Sequence, residues 1–166
     1  MIKGQDIVVL AVLMEKGAER LAYAELGKAA RVSASEAHAA VKRLQEALLL
    51  NPERCPVKGH VEEFLVHGLR YSFPLKASGK MTKGMPTSYA APVAAEAFAV
   101  SGQLPVWEGS SGTVYGKAYL PVYSTAPVAA AEDERLYARL AVMDMLRGGR
   151  LRERQFAEKK LREWMA

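Results

Sequence analysis

A single cysteine, Cys55, excludes an intramolecular disulfide and fits a protein of the reducing cytoplasm. Histidine is nearly as scarce. His38, His60 and His67 are the three that occur, and with Cys55 they match no common zinc spacing, so no metal site is expected. Long hydrophobic runs are missing too. The stretch Ile7 to Met14 is far too short for a bilayer span, which needs roughly 20 residues. Flanked by Asp6 and by Glu15-Lys16, it reads as a buried helix rather than a signal-peptide core, and no membrane segment is expected. Catalytic signatures are absent as well. There is no glycine-rich phosphate loop, no serine nucleophile elbow, and no carboxylate pair at a recognisable spacing. One acid stands out, Asp144 in the apolar run Leu140 to Leu146, where a carboxylate needs a partner. Arg147, Arg150 and Arg154 follow closely enough to supply it, and an ion pair is the ordinary reading of such a residue. The chain is therefore expected to be a non-enzyme without a cofactor.

What is present is an ordinary globular composition. Of the 166 residues, 50% are apolar and 25% charged, enough to bury a core in one domain or two small ones. The net charge of +5 is modest but unevenly spread. Between Arg147 and Arg162 seven basic residues stand against two acidic ones, Glu153 and Glu158. Such a segment suits a phosphate backbone, or it forms a solvated helix face.

The most informative stretch runs from Ala22 to Leu50. Leu26, Ala29 and Ala30 share one face of a first helix. After a break at Arg31-Val32, Ser33 stands as an N-cap with Glu36 three residues later, the pattern of a capping box. In the helix that follows, Ala37, Val41, Leu44 and Leu48 form an apolar stripe at helical spacing. The opposite face carries Ser35, His38, Ala39, Lys42 and Arg43. Two helices, a short turn and a small, basic outer face make a helix-turn-helix pattern.

This segment resembles the winged helix-turn-helix of bacterial MarR-like transcriptional regulators. The residues that carry the likeness are Tyr23-Ala24-Glu25-Leu26, Ser33, Val41, Arg43-Leu44 and Leu48-Leu49. Three positions depart from the family pattern. Arg31 and Leu48 stand where glycine is usual, and Ala22 replaces a capping Ser or Thr. The resemblance implies a transcriptional regulator that reads the major groove of double-stranded DNA. Further along, RYSFP, GMPTSYAAP and LRGGRLRER resemble bacterial winged-helix proteins encoded beside nucleotidyltransferase-like partners. That likeness implies a regulator with a possible partner protein.

Around this unit the spacing predicts a helix from about Lys3 to Lys16 closed by Gly17, and a strand start at Leu48 to Leu50 broken by Asn51-Pro52. A helix is predicted over Val57 to His67, ended by Gly68, then a strand over Leu69 to Phe73. Any wing is thus short, absent or displaced. The basic stretch Lys76 to Lys83 is the candidate mobile loop or displaced wing, with Lys80 and Lys83 placed to touch phosphates. Residues 84–92 should lie extended over a neighbouring surface, and Ala94 to Val100 should form a short helix. Val106-Trp107 and Val114 to Leu120 predict a hairpin turning at Gly109 to Gly112. Helices are predicted at Ala126 to Ala131, Glu132 to Leu146 and Leu151 to Met165.

The fold class expected is α+β, mainly α: a winged helix-turn-helix domain over 1–75, then a small α+β region over 76–166 ending in helices. The candidate DNA-binding residues are Ser35, His38, Ala39, Lys42, Arg43, Lys80 and Lys83. A homodimer is expected, since one recognition helix reads too few base pairs, with Leu161, Trp164 and Met165 as its candidate contacts. The alternative is a protein-interaction module on the same fold; Glu36 and Glu46 flank the outer face and weaken its field but decide little, since Lys42 and Arg43 sit where base or phosphate contacts would be made.

Overall fold

The computed structural model describes residues 1–109 and 112–166. Among them are seven helices and one small sheet, an α+β chain in which helix predominates. Helix α1 (Gly4–Leu13) is the centre of the molecule, with every residue from Asp6 to Leu13 buried. A helix that is apolar all round must be enclosed on all sides. Here α2 (Tyr23–Ala30), α3 (Ala34–Glu46) and the later α6 (Glu134–Gly148) enclose it. α1 stops at Leu13, three residues before the expected end, so Gly17, at φ 89°, does not close it but leads into a short 3₁₀ turn over Ala18–Arg20.

The ends of α2 and α3 each depend on one left-handed residue. Arg31 sits at φ 59° and lets the Val32 N–H reach back to the Gly27 carbonyl, 2.9 Å away. Leu48, after α3, sits at φ 63° and lets the Leu49 N–H reach the Leu44 carbonyl at 2.9 Å. Both are the six-to-one bonds of a Schellman ending, made by residues with a Cβ at a cost on the order of 1 kcal/mol each. The left-handed turn also changes the fate of Leu48. It does not join the buried stripe of Ala37, Val41 and Leu44 but stands 64% exposed, and Ala40 takes its place inside.

Ser33 does cap α3, its Oγ accepting the Glu36 N–H at 3.0 Å. At α2 the Glu25 carboxylate accepts the Ala22 N–H at 3.3 Å, one half of a capping box, while Ala22 has no hydroxyl to supply the other. Ser33→Ala should therefore lower stability by about 1 kcal/mol in a denaturant melt, and an unchanged midpoint would put the start of α3 elsewhere.

Beyond α3 the chain makes a minimal hairpin. Leu50 and Pro56 form one antiparallel bridge, and the Val57 N–H bonds to the Leu49 carbonyl at 2.9 Å. Asn51 holds the tip, its Oδ1 accepting the N–H groups of Glu53 at 3.0 Å and Cys55 at 2.9 Å. Gln45 from α3 fastens this tip by donating to the carbonyls of Asn51 and Pro52.

Helix α4 then runs over residues 58–72, and two expectations fail here. Gly68 does not end it, and residues 69–72 are helical rather than a strand. Phe64–Gly68 widens into a π turn, in which the Leu69 N–H bonds to Phe64, and the helix resumes. The reason is burial: Val61, Leu65 and Leu69 recur four apart, and all three are fully enclosed.

The sheet is a small closed barrel of β1 (Ala77–Pro86), β2 (Pro105–Glu108) and β3 (Val114–Tyr119). Residues 76–83, expected as a mobile loop, are thus largely strand. β1 pairs antiparallel with both β2 and β3, which makes those two parallel to each other rather than a hairpin. Part of the turn expected between them, Ser110-Ser111, lies outside the described residues. The closure needs glycine, since a Cβ on Gly84 would meet the Trp107 carbonyl oxygen at 2.2 Å and one on Gly112 would meet the Gly84 backbone at 1.9 Å. Residues 88–94 form two short 3₁₀ turns in place of an extended strap, and the first of them packs on α6.

Helices α5 (Ala126–Ala131), α6 and α7 (Leu151–Met165) complete the chain. Glu15, at the end of α1, accepts from Arg139 of α6 at 2.7 Å and from Arg135 at 2.5 Å, and these bonds hold its carboxyl below the usual carboxylate range. In α7, Leu161 and Ala157 are buried in the monomer's own core and Trp164 and Met165 pack against it, so Leu161 is not available as a dimer contact. One continuous core spans both sides of position 75. No helix among the described residues is long and apolar enough to cross a membrane.

Candidate nucleic-acid interface

Helix α3 has an inner face that is locked and an outer face that is open. Ala37, Ala40, Val41 and Leu44 are fully buried, while Ser35, His38 and Lys42 are exposed and Ala39 is half-buried between them. Neither Ser35 nor Lys42 makes a side-chain hydrogen bond or ion pair among the described residues. His38 rests its ring edge against Tyr23 of α2, with centroids 4.8 Å apart.

Arg43 behaves differently from its neighbours. It turns back across the interface between α3 and α1, where its Nε donates to Asp6 Oδ2 at 2.8 Å and its Nη2 to Asp6 Oδ1 at 2.8 Å. Asp6 is fully buried, and its Oδ2 also accepts the Lys3 N–H at 2.8 Å. The bond to Asp6 pushes the guanidinium above its ordinary range, and the arginine side chain is only 18% exposed. The expected outward placement of Arg43 is therefore corrected: it sets the position of α3 on α1.

Arg54 at the hairpin tip was not singled out from the sequence. Its guanidinium lies 4.8 Å from the centre of the Tyr23 ring, on the same tyrosine that His38 touches. One aromatic ring thus links α2, the outer face of α3 and the hairpin. The signal available in the sequence was Asn51-Pro52, a turn opener three residues before an arginine.

Lys80 and Lys83 belong to another layer. They lie on β1, which packs on β2 and β3, whereas α3 packs on α1 and α2. Lys80 is paired with Glu108 of β2, while Lys83 is exposed. The structure does not bring these two lysines into the α3 cluster. No group of three His, Cys, Asp or Glu side chains that could hold a metal occurs among the described residues.

The surface made by α3 and the hairpin offers hydroxyl and imidazole groups, a small residue for close approach, and two cations. That arrangement can bind a polyanion and contact base edges. Compared with models of known protein families, with curated proteins and with solved structures, the chain matches none.

Proposed function

We propose that this protein is a DNA-binding transcriptional regulator of the winged helix-turn-helix kind, working in the cytoplasm as a homodimer. The observation that carries the reading is the division of α3 into a face fixed by burial and the Arg43–Asp6 pair and a face left open at Ser35, His38, Ala39 and Lys42. A recognition helix needs this division, because base readout fails if the helix can rock in the groove. Ala39 allows close approach and can touch a thymine methyl, and Lys42 can reach a guanine edge. The hairpin over 49–57 stands directly after α3, where a wing belongs, and brings Arg54 to the same side as His38. The positive φ of Arg31 and Leu48, at positions where the resembling regulators use glycine, is a further point in favour.

The experiment is fluorescence anisotropy on the preferred and scrambled duplexes at several salt concentrations. Lys42→Ala should cost about 1–3 kcal/mol on the preferred site and relax specificity there. Arg54→Ala should weaken all duplexes alike and reduce the salt slope by roughly one unit, as loss of a phosphate contact does. If neither variant alters binding to any duplex, the second reading takes over: a module that binds a partner protein. One feature favours it, the exposed Leu48 between two grooves lined by Pro52, Val57 and His60 on one side and Ile2 and Phe64 on the other.

A further inference from the structure

The corner where α6 turns into α7 opens on a cleft of about 730 Å³ that shares no residue with the α3 surface. Three cations line it: Lys117 from β3, and Arg150 and Arg152 from the start of α7. Glu153 is the one acid in the same lining, so positive charge is in excess. Among the described residues none of the three cations is in an ion pair, so the cleft keeps its positive potential for an arriving anion. The cleft between α1 and α6 provides the contrast. It also has arginines, Arg135 and Arg139, but Glu15 already accepts from both.

Two phenols share the lining. Tyr119 presents its ring to Lys117, whose ammonium lies 5.7 Å from the centroid, and Tyr89 stands opposite the α7 turn. Tyr89, Tyr119, Arg150 and Glu153 all belong to the one lining, and burial raises the Tyr89 phenol above its ordinary range, with Glu153 and Tyr119 adding to the rise and Arg150 opposing it. Arg150 offers no side-chain cap to α7, which leaves first-turn N–H groups on the same wall to add positive potential. The volume lies within the roughly 300–1,000 Å³ usual for small-molecule sites and is larger than a bare inorganic anion fills.

We propose that this cleft binds a small phosphomonoester carrying a planar group, the phosphate held by Lys117, Arg150 and Arg152 and the planar part lying against Tyr89 and Tyr119. A duplex would track an open surface rather than enter a concave site, so the ligand is a small molecule. The corner is rigid because Arg147, one turn earlier, is clamped to the carbonyls of Phe73 and Pro74.

Isothermal titration calorimetry of the full chain with adenosine 5′-monophosphate, adenosine and inorganic phosphate tests this. The monophosphate should bind one to one, more tightly than inorganic phosphate, and adenosine should bind at least tenfold more weakly, about what losing charged hydrogen bonds implies. Arg150→Ala should weaken the monophosphate roughly tenfold or more. Arg152→Ala, on an exposed side chain, repeats the test should the first variant fail to fold. The proposal is overturned if the wild type binds no monophosphate, if adenosine binds as well as its monophosphate, if inorganic phosphate binds as tightly, or if the folded variants bind unchanged. A loss confined to duplex binding would equally overturn it, assigning these arginines to a DNA surface. Since no α3 residue takes part, failure here leaves the DNA reading standing.

Discussion

Arg43→Ala should cost the fold about 3–5 kcal/mol, because it strands the buried Asp6 carboxylate without its counter-charge. The two residues are 37 apart in sequence, on α3 and α1, and their paired hydrogen bonds at 2.8 Å fix one helix against the other. Lysine cannot reproduce that fork, so Arg43→Lys should recover only part of the loss. Replacing both partners, as in Asp6→Leu with Arg43→Met, should cost clearly less than Arg43→Ala, since no charge is then left in the core. Chemical denaturation monitored by circular dichroism measures all of these. The same variants separate two roles for an arginine on α3. If Arg43 clamped a DNA phosphate, Arg43→Ala would leave the melt unchanged and weaken every duplex equally. The geometry predicts the reverse, a large stability loss, with DNA affinity of the remaining folded protein altered only through the tilt of α3.

Arg43 also shows where a sequence stops being readable. On the helical wheel it lies one turn from the buried Ala40, at the border of the buried face, and its polarity alone places it outside. Its long side chain crosses that border to meet an acid far away in sequence. The missed clue was Asp6, a carboxylate opening an apolar helix, which by the logic applied to Asp144 demanded a cation. Elements with a strong helical period were legible: α2, α3 and the last helices have apolar residues three and four apart, with Ser33 as punctuation, and α1 was legible as an unbroken apolar run. Residues 69–72 misled because Leu69, Tyr71 and Phe73 alternate like a strand, although Leu65 and Leu69 also continue a helix.

β1 was illegible for a different reason. Six of its ten residues are exposed, three are half-buried and only Gly84 is buried, so no period-two pattern exists to read. Backbone pairing on both edges holds it, and backbone pairing leaves little trace in side-chain type. The same strand explains why β2 and β3 are not a hairpin: each finds its antiparallel partner in β1. At the candidate interface, the α3 residues followed from spacing alone, whereas Arg54 required knowing that Asn51 folds the chain back towards Tyr23.

Asp144→Ala should be comparably damaging, again about 3–5 kcal/mol, for removing one partner of a buried pair. The carboxylate is 2% exposed and accepts three bonds: from Thr87 Oγ at 2.7 Å, from Trp107 Nε1 at 2.8 Å and from Arg147 Nη1 at 2.7 Å. Arg147 in turn donates through Nε to the Phe73 carbonyl at 2.7 Å and through Nη2 to that of Pro74 at 3.3 Å. The network therefore joins α6, the end of β1, β2 and the turn after α4. Alanine would leave a buried guanidinium without its counter-charge and the Thr87 and Trp107 donors without their acceptor at once. Asparagine keeps the shape but brings an NH₂ group among donors, so Asp144→Asn should lose most of the same stability. Arg147→Met combined with Asp144→Leu should be far milder than the sum of the single changes, a coupling that a double-mutant cycle in denaturant measures directly. Because Arg147 holds residues 73 and 74, the single variants should also expose the segment between α4 and β1 to amide exchange before the rest of the chain. Strict additivity of the two substitutions, or a loss below about 1 kcal/mol for Asp144→Ala, would mean that this acid is not paired in the core.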